Sequence, residues 1–115
     1  IAILYFICKK NNLKKQKGGS NGEFTLYYVT WCPHCKVMQP EWERLKNSDN
    51  IDTSKVSIKS VDCTDKPESY LVEKKIEGFP TIVYSSPNGK INYGGGRTYE
   101  DFLSFLSKYN LLKNN

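Results

Sequence analysis

The chain has 115 residues, enough for one compact core and too few for two ordinary domains. It carries 17 basic and 12 acidic residues, and Lys9, Lys10, Lys14, Lys15 and Lys17 supply the whole net charge of +5, because the two signs balance from Gly22 onward. A globular nucleic-acid binder carries its basic excess on the folded part, whereas a lysine run beside an apolar segment suits a membrane surface, so nucleic acid is not an expected partner.

The chain opens "IAILYFICKK". Eight apolar residues cannot cross a bilayer, which needs about 20, yet such a run closing in lysines resembles the last third of a transmembrane helix or of a signal-peptide core. Residues 1–10 are therefore expected to be the end of a membrane anchor or signal segment, with a frayed terminus as the alternative. Cys8 is read as a membrane-edge thiol, inert or open to lipid modification. The basic flank follows the apolar run, which by the positive-inside tendency puts the folded part on the cytoplasmic side or in the equivalent interior of a virion. Residues 11–22, "NNLKKQKGGSNG", have almost no apolar content and read as a linker.

A folded domain over 23–115 is expected next. "FTLYYVT", 24–30, has apolar residues on both alternations, as in a strand covered on both faces. Pro33 suits the first turn of a helix, and Val37, Met38, Trp42 and Leu45 follow at helical spacing. Pro40 lies inside that helix and removes its bond to the carbonyl of Lys36, so a kink is predicted. "KVSIKSVDC", 55–63, reads as a second strand. Asp65 or Thr64 can cap the next helix, with Pro67 in its first turn and Gly78 at its end. "TIVYSS", "Pro87-Asn88-Gly89" and "KINYG" read as a hairpin turning at Asn-Gly. Thr98 starts the last helix, with Asp101 three residues on and an apolar stripe of Tyr99, Phe102, Leu103, Leu106 and Tyr109. Right-handed crossovers make the first two strands parallel, set the hairpin along the other side and leave helices on both faces.

Sites in such a sheet form beyond the carboxyl ends of the parallel strands, where "TWCPHCK" lies. Cys32 and Cys35, three apart, admit three readings: a structural staple, half of a metal site, or a redox pair. A bridge closing so short a loop constrains little of the unfolded chain. No second C-x-x-C completes a zinc site, so no metal is expected. A cysteine at a helix N-terminus, near free N–H groups and the positive end of the dipole, favours its thiolate, which is the reactive form. Cys32 is then the nucleophile, and Cys35, one turn further in, can attack a mixed disulfide formed on Cys32. His34 can add a positive or hydrogen-bonding neighbour. Trp31 is read either as shielding the site or as plain core. Cys63 is read as a small buried apolar residue. Gly94-Gly95-Gly96 lacks the Lys-Ser/Thr and the frame of a phosphate loop.

Several motifs in order resemble the thioredoxin superfamily, and more closely a protein disulfide-isomerase-like domain, from about Glu23 to Leu112. They are "WCPHCK", "MQPEWE", "VDCT", "IEGFPTIVYSSPNGK" and "YGGGRTYEDFLSFL". The resemblance implies an α/β thioredoxin fold with a β-α-β-α-β-β-α core and a mixed four-stranded sheet. It implies Cys32 as the attacking and Cys35 as the resolving cysteine, a cis-proline at Pro80 facing the disulfide, and a peptide contact from Phe79 or its backbone; Trp31, beside the site, is expected to join Phe79 and Pro80 in binding substrate. It also implies an arginine, Arg97, that approaches the resolving cysteine. The inner dipeptide Pro33-His34 is that of the bacterial periplasmic disulfide oxidase, itself the standard example of a low thiolate pKa and an oxidising potential of about −120 mV. An oxidase- or isomerase-leaning site is therefore expected, with no bound cofactor beyond the Cys32–Cys35 disulfide. Cysteine-bearing proteins and an upstream redox partner are the expected partners. Disulfide chemistry of this kind belongs to secretory or endoplasmic-reticulum lumen, against the cytoplasm-facing side that the lysines suggest. Two departures stand out: the first strand and helix of a full thioredoxin are missing, and Leu26 occupies the place of the buried acid that usually serves the resolving cysteine, leaving Glu43, Arg97 or water to substitute. The rival reading is a non-catalytic peptide-binding module on the same fold.

Overall fold

The computed structural model describes residues 22–113. The expectations for 1–10 and for nearly all of the linker, with Cys8, lie outside the described residues. Seven elements follow in the order β1 (Gly22–Tyr28), α1 (Pro33–Lys46), β2 (Val56–Asp62), α2 (Glu68–Lys74), β3 (Thr81–Ser86), β4 (Gly89–Asn92) and α3 (Tyr99–Lys108). They form one mixed sheet in the order β2-β1-β3-β4. β1 runs parallel to β2 with Leu26 beside Ser60, and antiparallel to β3 with Leu26 beside Ile82.

The period of two sorts β1 between two cores. Phe24 and Leu26 point into the larger core, with Met38, Trp42 and Leu45 of α1 and Phe102 and Leu106 of α3. Phe24 is its centre, 5.2 Å from the Trp42 ring and stacked at 5.3 Å on Phe105. Aromatic pairs at these spacings contribute about 0.5–1.5 kcal/mol each beyond burial. A smaller core gathers Val29, Cys32, Cys35, Cys63 and Ile76, with Tyr70 and Leu71 of α2 and Phe79 packed against it. The helices therefore occupy both faces, and the cysteine pair sits in the smaller core.

Local chemistry explains the ends. Thr98 and Asp101 form a reciprocal capping box on α3. The helix α1 passes through Pro40 without ending, because tertiary burial of Met38, Trp42 and Leu45 outweighs one lost backbone bond. Four local expectations are corrected. Val37 is 78% exposed, since the buried row of α1 is Cys35, Met38, Trp42 and Leu45 and a residue one position before Met38 is rotated about 100° away. α2 begins at Glu68 with Pro67 as its uncapped N-cap, and it ends at Lys75 in a left-handed conformation (φ 61°), not at Gly78. In the hairpin Ser86 pairs with Gly89, so the turn residues are Pro87 and Asn88, and only Gly89 takes a positive φ, 131°. Tyr109 is the C-cap of α3 and 39% exposed, while Phe105, absent from the expected stripe, packs against the core.

Candidate functional site

The site begins where β1 hands over to α1. Val29 is buried, Thr30 and Trp31 are exposed, and Cys32 sits at the N-cap in an extended conformation. Thr64, just past β2, ties this turn down: its hydroxyl accepts from the Thr30 amide at 2.9 Å and donates to the Asp62 carboxylate at 2.6 Å. The Cys32 sulfur does the work an N-cap oxygen usually does, accepting from the Cys35 amide at 3.2 Å. Its thiol also faces the Phe79 carbonyl at 3.7 Å. The Phe79–Pro80 peptide bond is cis, and both residues are half-buried. Cys32, Cys35 and Cys63 are free thiols in the structure.

The two thiols of the pair have opposite electrostatics. Burial works against ionisation of Cys32, but hydrogen bonds from the Cys35 thiol and from the Cys35 and His34 amides, with the Arg97 charge, outweigh it and bring its pKa below the ordinary value. Cys35 is only 1% exposed. Burial, then its hydrogen bond to Cys32 and the Cys32 charge, push its thiol up to about 11, against smaller lowering by the Val29 amide and Arg97. One sulfur thus ionises more readily than an ordinary thiol and the other less readily. Cys63 is a third buried thiol, raised by burial.

The remaining candidates fall around this pair. Pro33 occupies the first turn of α1. His34 is exposed and reaches Cys32 through its backbone amide. Arg97 is exposed, acts on both cysteines and forms no ion pair among the described residues. Trp31 is 68% exposed, so it is not core. Leu26 is fully buried in the larger core, so an apolar side chain fills the place where an acid was looked for. Glu43 is partly exposed and lies 3.7 Å from Lys46, and no carboxylate is among the groups acting on Cys35. Sequence reasoning missed the Val29 amide and the Thr64 tie, and it set Phe79 or its backbone against a bound peptide, where the structure has the Phe79 carbonyl facing the Cys32 thiol. Backbone groups leave no mark in a side-chain pattern.

The thioredoxin family model matches residues 7–108. Thioredoxin domain-containing protein 5 homolog of Drosophila melanogaster is 34% identical over 89 residues, which cover 75% of this chain and 21% of that protein. A putative protein disulfide-isomerase of Schizosaccharomyces pombe is 36% identical over 86 residues, covering 72% and 16% respectively. Probable protein disulfide-isomerase A6 of Medicago sativa is 34% identical over 104 residues, covering 88% and 28%. The chain therefore spans well under a third of the length of these curated relatives. Among solved structures, the first thioredoxin domain of mouse protein disulfide-isomerase A4 superposes with a TM-score of 0.59 at 22% identity, over 85% of this chain and 81% of that one. ERdj5 superposes with a TM-score of 0.66 at 22% identity, over 90% of this chain and 16% of that one.

Proposed function

The chain belongs to the thioredoxin family, as a domain related to the protein disulfide-isomerases, and from that premise we propose that it is a thiol-disulfide oxidoreductase exchanging disulfides with protein substrates through Cys32 and Cys35, leaning toward oxidation and isomerisation. The observation that carries the reading is the opposed pair of thiols: an ionisable sulfur at a helix N-cap and a buried one, pushed up to about 11, one turn behind it.

In the oxidising direction, a substrate thiolate attacks the Cys32 sulfur of the Cys32–Cys35 disulfide, and the departing electron pair goes to Cys35, which takes up a proton. A second substrate thiolate then attacks the substrate's sulfur in the mixed disulfide and expels Cys32 as thiolate. The substrate loses two electrons and the domain gains them. Stabilising the Cys32 thiolate stabilises the reduced domain, which makes the disulfide the stronger oxidant. The Pro33-His34 dipeptide supports the same direction by resemblance. The Phe79 carbonyl faces the reacting sulfur, and Phe79 and the cis-Pro80 receive the substrate backbone with Trp31 beside them. No cofactor beyond the disulfide is required, and an upstream redox partner restores it.

In the reverse role, resolution of a mixed disulfide needs the Cys35 proton removed. With Leu26 in place of an acid and Glu43 partly exposed beside Lys46, the Arg97 charge is the one side-chain aid to that step among the groups acting on Cys35, and release by Cys35 is slow at neutral pH. A membrane tether through residues 1–10 completes the reading. Its support is the apolar run and its lysine flank, and protease protection of the membrane-bound chain decides between lumenal and cytoplasm-facing placement.

The test is oxidation of a reduced, unfolded protein by the pre-oxidised chain. Cys32→Ser with Cys35→Ser abolishes it under this proposal; undiminished oxidation by the double variant refutes it.

A further inference from the structure

A cleft of about 360 Å³ opens beside the nucleophile, between the first turns of α1 and the start of α3, lined by His34, Val37, Met38, Glu41, Arg97 and Thr98. Its floor is Met38, 1% exposed, and one wall is Val37, whose side chain stands 78% exposed on the outer face of α1. One carboxylate oxygen of Glu41 is already engaged by the Tyr99 amide at 2.7 Å. Arg97 at the rim has no ion-pair partner among the described residues. The first turn of α1 holds no acidic residue, so its dipole and Arg97 favour an anion on that side of the cleft, while Glu41, one oxygen held by the Tyr99 amide, is the acidic group on the opposite part of the lining. The cleft joins the reacting pair through His34, whose amide bonds Cys32, and through Arg97, whose charge reaches both sulfurs.

We propose that this cleft is a substrate subsite: it takes a bulky apolar side chain next to the substrate cysteine, from a segment whose neighbouring carboxylate faces Arg97. The inference rests on the disulfide-exchange reading and adds to it a sequence preference. Burying such a side chain over Met38 and Val37 removes apolar surface of both partners from water, and the carboxylate pairs with a guanidinium that has none. The reaction remains the exchange written above: the substrate is oxidised by two electrons and the Cys32–Cys35 disulfide is reduced.

The test measures kcat/KM for oxidation of two-cysteine peptides by the pre-oxidised full chain, with glutathione disulfide regenerating it. Three peptides differ only beside the first cysteine: Leu with Glu, Ala with Glu, and Leu with Lys. The Leu-Glu peptide is expected to react at least fivefold faster than either of the others. Val37→Ser, a change at an exposed position, is expected to erase at least threefold of the Leu-over-Ala preference while leaving oxidation of glutathione within twofold of the unaltered chain. Equal rates for the three peptides, or a preference that survives Val37→Ser, overturn the subsite and leave disulfide exchange standing. Failure to oxidise any peptide or glutathione overturns both. If Val37→Ser instead converts a dimer to a monomer in sedimentation, the patch joins two copies of the chain and the subsite falls.

Discussion

Replacing Cys32 by serine isolates the resolving thiol and exposes its chemistry to direct measurement. Serine keeps a hydroxyl at the N-cap and leaves burial, the largest cause of the Cys35 shift, untouched, while it removes the Cys32 charge and thiolate hydrogen bond that also raise it. Alkylation requires the thiolate. With Cys32 in place the Cys35 thiol stands at about 11, ionised at pH 7 in about one molecule in 10,000, against about one in 100 for a thiol at 9.0; the variant lies between these limits. Cys35 should therefore react with iodoacetamide more slowly than an ordinary thiol at pH 7, by up to about 100-fold, and the 1% exposure slows it further. The rate should climb about tenfold per pH unit and still be climbing at pH 9. Mass spectrometry of the digested chain reads each cysteine separately, so Cys63 and Cys8 do not confuse the result. A rate at pH 7 within about threefold of a free cysteine peptide, or a plateau below pH 9, refutes the opposed-thiol account.

Arg97→Gln removes the charge that lowers both thiols, so the alkylation midpoint of Cys32 should move to higher pH; an unmoved midpoint would detach Arg97 from the site. Leu26→Ala should cost about 2–5 kcal/mol in urea unfolding, the range for emptying a fully buried leucine site; a loss below about 1 kcal/mol would mean the core collapses freely around it. The reduced chain should lose stability above pH 9. For Cys35 the folded value of about 11 lies above the unfolded 9.0, so the neutral thiol contributes fully below pH 9 and that contribution is lost as pH rises through 11. Tyr27 and Tyr84, also raised by burial, act in the same sense. Cys32, lowered, acts in the opposite sense, its contribution being present above its unfolded value. The urea midpoint at pH 10.5 should therefore lie below that at pH 8, and an equal or higher midpoint would contradict the deep burial of Cys35.

The element order and the place of the pair were readable because they rest on strong local signals: two parallel-type strands, a proline in a first turn, and a Thr98/Asp101 box that the structure reproduces as a reciprocal cap. The resemblance supplied what periodicity could not, such as the cis bond before Pro80. Errors came where one residue had two physically reasonable roles. Val37 is apolar but one position off the buried row, and exposed apolar residues are common on folded surfaces. Gly78 is the obvious helix stop, yet Lys75 takes the left-handed conformation three residues earlier. The partition between the two thiols was only half legible. Position at a helix start announces Cys32, whereas the state of Cys35 depends on burial contributed by Val29, Ile76 and Phe79 from elsewhere in the chain.

The reduction potential of the Cys32–Cys35 pair tests the central claim most directly. The chain is equilibrated with glutathione mixtures of graded ratio, and the oxidised fraction is read after acid quench. The account predicts a single reversible two-electron couple above about −180 mV, in the range of disulfide donors and isomerases. A couple near about −270 mV, the value of a reductase, or a pair that never closes into a disulfide, would contradict it.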